Sequence, residues 1–319
     1  MKQRNASLPL SPGWNKIRRV AVWSLRGISF SGKPDVGGFF VFQSVVSILI
    51  TGLVTLFLVL IVTLKKNPLA VILHFGRDLI KSKILLAHVL GALFILLFNK
   101  FELIVESHLN TPDFTQYIYL FEGNITPLVQ KWLEHDALTR VTTFFYVIVF
   151  TVMMFASLFV YHHEQDRRSL YALLYGLGLN YVIAIPFFLF VPVNEAWYTH
   201  PEVSPLYLKA YPLFEEQYRF FSGLDNSFPS LHTSISLTLA TIALRSRNVR
   251  LAWIAAVSAA VILFSVIYLG IHWYADVIAG IVLASITTSL AYRLSEYPLG
   301  TRQLVLSSAN KTRAEHSSF

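Results

Sequence analysis

The chain has 319 residues, 55% of them hydrophobic and only 14% charged, with a mean hydropathy of +0.55 and a net charge of +8. A soluble domain is about 25% charged, so this composition excludes an ordinary soluble enzyme. It also excludes intrinsic disorder, whose mark is low hydrophobicity. The absence of cysteine removes disulfide scaffolds, zinc–thiolate sites, Fe–S clusters and cysteine nucleophiles.

Residues 1–38 are basic throughout and have no compact apolar core before a small-residue cleavage site, so they are not a cleavable signal peptide. Residues 14–30 mix Trp, Val, Ile and Leu with Lys16, Arg18, Arg19 and Arg26, the pattern of a helix lying on an anionic membrane surface. Residues 39–64 then run without a charge, long enough to cross a hydrocarbon core of ~30 Å. Further apolar runs follow at 84–98, 141–161, 170–191, 231–244, 251–269 and 273–292. The first and fourth of these are short and are expected to extend into their flanks. The fold expected is all-α, a polytopic transmembrane helical bundle of about seven spans.

Between the runs, residues 65–83, 162–168, 245–250 and 293–319 hold fourteen Lys/Arg and five Asp/Glu. Residues 99–140 and 192–230 hold five Lys/Arg and eleven Asp/Glu. The positive-inside rule puts the first set in the cytoplasm and the two long loops outside. Charge sorted by membrane side argues against nucleic-acid binding. One conflict stands: with seven spans, the seven Lys/Arg of residues 1–38 fall outside. Within the first outer loop, residues 111–136 read as short interfacial helices. The second outer loop, rich in Pro, Tyr and Trp, has no helix-length pattern.

Two clusters fall at the same membrane face. One runs from Ser227 through Phe228, Pro229, Ser230, Leu231 and His232 to Ser234. The other runs from Ser265 through His272 to Asp276. His272 and Asp276 are four residues apart and share a helix face. A carboxylate there accepts a proton from one imidazole nitrogen and leaves the other free as nucleophile or base. His232 follows Pro229 and Ser230, residues that favour a helix start, so it is expected near an N-terminus whose amides attract an anion. Two histidines, a carboxylate and an anion hole suit phosphoryl transfer. Each has a plainer reading, a buried hydrogen bond holding helices together. A third or fourth metal ligand at specific spacing is missing from this set. His162 and His163 read as solvated, and His74, His88, His108, His135 and His200 have no motif around them.

The pair Pro229-Ser230-Leu231-His232 and His272-Trp273-Tyr274-Ala275-Asp276 resembles the second and third motifs of the type 2 phosphatidic acid phosphatase superfamily. Phe228 ahead of Pro-Ser-Leu-His is closer to its inositol phosphorylceramide synthase-like branch. The segment from Pro192 to Tyr198 is similar to a proline-and-tryptophan stretch of that branch. The resemblance spans roughly residues 84–293. It implies a six-helix catalytic core, with residues 39–64 an addition and 294–319 a cytoplasmic tail. It further implies that His272 forms a phosphohistidine, that Asp276 is its partner and that His232 is general acid and then base, with no metal or other cofactor. The phosphatase pattern has an Arg six residues before the nucleophile; here that position is Val266. A phosphate monoester wants several cations, and Lys209 and Arg219 of the outer loop are candidates to replace them, with Ser230 beside the phosphate.

The expected activity is dephosphorylation of a lipid phosphate at the outer face of the cell membrane. Transfer of a phosphorylated head group between lipids is the alternative. A non-catalytic lipid transporter or scaffold is a third reading; a transporter should show broken spans or repeat symmetry, and no repeat is visible.

Overall fold

The computed structural model describes residues 42, 44–106, 108–109, 111–218 and 222–296. The basic segment 1–38, Arg219 and residues 297–319 of the tail lie outside the described residues. Among those described there is no β-strand, only an isolated parallel bridge between Val193 and Asn226.

Ten helices form the framework: α1 (Val45–Leu64), α2 (Pro68–Lys81), α3 (Lys83–Glu106), α4 (Thr115–Glu122), α5 (Ile125–Leu133), α6 (Asp136–His163), α7 (Arg167–Phe190), α8 (Leu231–Arg245), α9 (Val249–Tyr268) and α10 (Tyr274–Glu296). Their starts are written in capping residues. Ser44 and Ser47 exchange side-chain-to-backbone bonds at α1. Asn67 with Pro68 opens α2, Asp166 opens α7, Ser230 opens α8 and Asn248 opens α9.

Seven helices (α1, α3, α6, α7, α8, α9 and α10) run between two ends of the bundle, in the order expected from the apolar runs. Five of them are long and apolar enough to cross a membrane: α1, α6, α7, α9 and α10. The α2–α3 pair meets the same standard together, bent by 104° at Ser82, and makes a sixth. The difference from seven is α8. At 15 residues it spans about 22 Å at 1.5 Å per residue, short of the ~30 Å core. It has no polar flank to extend into, because Ser230 caps it and Ser246 ends it. Such a helix survives because it is enclosed: α8 packs on α7, α9 and α10. Small residues permit this. Gly280 of α10 faces the first turn of α8, where a Cβ would sit 2.7 Å from the Ser230 carbonyl and 2.9 Å from Thr233 Cβ.

The segments 99–140 and 192–230 share one end. The first contributes α4 and α5, as its interfacial pattern suggested. The second contains only single turns of helix, Ala196–Thr199, Tyr207–Ala210 and Phe214–Tyr218. α1 begins at this same end, so the charge conflict of residues 1–38 stands. His162 and His163 fall in the last turn of α6, and His162 is buried. That corrects the solvated reading, which followed from taking them as loop.

Candidate active site

The backbone between residues 192 and 227 builds the frame first. Val193 N–H donates to the Asp225 carbonyl at 2.8 Å and Ser227 N–H to the Val193 carbonyl at 3.1 Å. Three residues on, Ala196 and Trp197 N–H donate to the Ile271 and Gly270 carbonyls at 3.2 and 2.8 Å. The segment from Pro192 to Tyr198 therefore straps the Ser227 loop to the His272 loop. Trp273 Nε1 donates to the Asn194 carbonyl at 2.9 Å, which tightens the strap from the other side. Gly270 turns the chain at φ +79°, with the Ser204 carbonyl 2.8 Å from where a Cβ would be, so only glycine fits.

On this frame the side chains meet. Ser227 Oγ–H donates to Asp276 Oδ2 at 2.6 Å. His272 Nδ1 lies 3.2 Å from that oxygen and 2.9 Å from Ser227 Oγ. Trp273 N–H donates to the same carboxylate oxygen at 2.9 Å. All of these groups are buried. The arrangement is satisfied when Nδ1 carries the proton, which leaves Nε2 with its lone pair. His232 faces this group from α8, its ring centroid 6.4 Å from that of His272. It is clamped by Tyr146, stacked at 4.1 Å, and by Phe150 at 4.4 Å. Tyr146 reaches that position from a π-helical turn, Phe145–Val149, inside α6, a distortion common at functional sites.

Two helix N-termini converge here. That of α10 is occupied: Tyr274 N–H donates to Glu122 Oε2 at 2.8 Å and Ala275 N–H to Glu122 Oε1. This carboxylate reaches in from α4. Burial pushes the Glu122 carboxyl above its ordinary range, while these two amide bonds oppose the rise. At α8, Ser230 Oγ accepts from Thr233 N–H at 3.3 Å, and Ser230 N–H donates to the Asp276 carbonyl at 3.1 Å. His200, also in this loop region, accepts from Glu202 N–H at its Nδ1 and is held toward its neutral form by burial.

His232 and His272 stand at the wall of a cavity of about 630 Å³. Its other walls are largely apolar: Val45, Ile48 and Leu49 of α1, Phe150 and Met154 of α6, Phe188 of α7 and Phe214 of the loop. Glu195 and Asn226 also line it; among the described lining residues there is no Lys or Arg. The arrangement offers an oriented imidazole nitrogen, a second imidazole across a gap, and an apolar volume beside both.

Of the residues singled out in the sequence, the structure gathers His272, Asp276 and His232, with Ser230 behind them as the α8 cap, fully buried and not lining the cavity. Lys209 is not with them: its ammonium pairs with Glu134 at the surface. Ser227 carries no motif role in the sequence, and its contact to Asp276, 49 residues away in the chain, has no local signal. Glu122 was equally invisible, one acidic residue among eleven in the two loops. Val266 is fully buried, and its carbonyl accepts from His272 N–H at 3.0 Å.

This is an integral-membrane-type helical bundle with a paired-histidine, single-carboxylate site at one end. Residues 120–290 match the PAP2 superfamily, and the chain belongs to it. The match begins within α4 and leaves α1, α2 and α3 outside. Members of this superfamily are generally phosphatases or phosphotransferases. No curated protein and no solved structure matches the chain.

Proposed function

We propose that the protein is a membrane enzyme that cleaves a phosphoester of a lipid at the extracytoplasmic face. The reading rests on one observation: His272, tethered by Asp276 and Ser227, faces His232 beside an apolar cavity. In this reading His272 Nε2 attacks phosphorus and the bond from phosphorus to the leaving oxygen breaks. That oxygen takes its proton from His232. In the second half, His232 takes a proton from the incoming hydroxyl, whose oxygen displaces His272 from phosphorus. Asp276 stabilises the charge that forms on the His272 ring.

With water as acceptor the product is a dephosphorylated lipid. A second reading, transfer of a phosphorylated head group such as inositol phosphate to another lipid, as in the inositol phosphorylceramide synthase-like branch, is favoured by the absence of Lys or Arg among the described lining residues. A singly charged phosphodiester needs fewer cations than a monoester dianion. Arg219 remains a proposed phosphate-binding cation of the outer loop; it lies outside the described residues.

The test is to incubate the purified chain with lipid phosphates and phosphodiesters and identify products by mass spectrometry. Free phosphate marks hydrolysis and a new phospholipid marks transfer. H272A is expected to lower turnover by on the order of 10³ or more and to leave lipid binding intact. Unchanged turnover in H272A would end this reading.

A further inference from the structure

Far from the paired histidines, α2 meets the last turn of α6. Tyr146 and His162 are sixteen residues apart on α6, about 24 Å at 1.5 Å per residue, so this meeting point lies at the other end of the bundle. His74 and Asp78 sit one turn apart on α2. His74 Nδ1 is 3.5 Å from Asp78 Oδ2, and His162 Nε2 is 3.3 Å from the same oxygen. One donor atom from each of the three lies within 4.8 Å of the others. The ring of His162 is held edge-on by Phe75 at 5.1 Å, and Phe75 by Phe159 at 5.3 Å. The floor is closed: the His162 side chain is 7% exposed. The mouth is open, with Asp78 at 35% and His74 at 56%.

Two imidazoles and a carboxylate are the donor set of borderline divalent ions. Bonds of about 2.0–2.1 Å at tetrahedral angles place neighbouring donors about 3.3–3.4 Å apart, close to the two measured edges of 3.3 and 3.5 Å. Three protein donors with an open side leave a fourth position for water.

We propose that His74, Asp78 and His162 form a binding site for a divalent transition metal ion, Zn²⁺ foremost. The ion fastens α2, which lies outside the family match, to the end of α6, which lies within it. The site is separate from the phosphoester chemistry and does not depend on it.

The test uses the full chain in detergent without a histidine tag, titrated with Co²⁺ and then with Zn²⁺ as competitor. One equivalent of Co²⁺ should bind with the absorption bands of a low-coordinate site, and Zn²⁺ should abolish them. H74A, H162A and D78N should each weaken binding by about tenfold or more, while H163A, the neighbouring histidine outside the set, binds as the parent does. His74 is exposed, so H74A tests the site without disturbing the core. Zn²⁺ should raise the thermal midpoint of the parent and not that of H74A. Absence of saturable binding, retention of binding in H74A and D78N, or equal loss in H163A would each overturn the proposal.

Discussion

Ser227 is where a single hydroxyl decides how His272 is presented. It touches both Nδ1 of His272 and the carboxylate of Asp276, so removing it leaves the ring held by one contact at 3.2 Å instead of two. In the proposed mechanism S227A should lower kcat by roughly 10- to 100-fold, the usual cost of losing an orienting partner, with KM nearly unchanged. Threonine, which keeps the hydroxyl, should recover part of the loss. A change in KM alone would instead make Ser227 a substrate contact. His272 and Asp276 were readable because their partnership is local, one helical turn. His232 was readable because Pro229 and Ser230 announce a helix start. Ser227 was not, since its partners arrive from across the fold. Lys209 has only its charge and its loop to suggest a phosphate role, and Glu134, at α5's C-terminal side, pairs with it instead.

At the level of elements, the site depends on how closely α8 lies on α10. Gly280 sets that distance. G280A would push a methyl to within 2.7 Å of the Ser230 carbonyl and 2.9 Å of Thr233 Cβ, contacts with backbone and a stiff side chain that cannot yield cheaply. The expected cost is about 1–3 kcal/mol, read as a lowered Tm in detergent. Turnover should fall further than stability does, because His232 moves with the α8 terminus. G176A is the comparison: its nearest neighbour is a Thr238 methyl at 3.0 Å, and neither residue lines the cavity, so it should lower Tm without a separate effect on turnover. Caps and apolar periodicity made the helix starts legible. The π turn at Phe145–Val149 was not, because nothing in Phe-Tyr-Val-Ile-Val departs from an ordinary apolar helix. It carries Tyr146, whose ring stacks on His232.

Across the whole molecule, the order of the long helices followed from apolar runs and turn residues, since hydropathy is set by composition and needs no tertiary knowledge. Length was the less legible quantity. Residues 231–244 resemble a span in composition, yet α8 is roofed by protein on several sides and need not reach across the bilayer. The cavity walls were not legible at all, because they draw on helices distant in sequence. Among them, Ile48 of α1 faces the cavity. I48W should shorten the longest acyl chain accepted in a competition assay of mixed-chain substrates, with turnover of short-chain substrates within about threefold of the parent. Equal loss on all chain lengths would separate α1 from substrate selection.

In the proposed mechanism, the stretch of chain that would carry out the reaction and the stretch that flanks the bay where a lipid tail would rest are thus different pieces. The proposed reacting groups His232, His272 and Asp276 fall within the superfamily match, whereas part of the bay's rim, α1, lies before it. Under the proposed function, substitutions along α1 would retune which acyl chains fit while the arrangement of His272, Asp276 and His232 stays as it is.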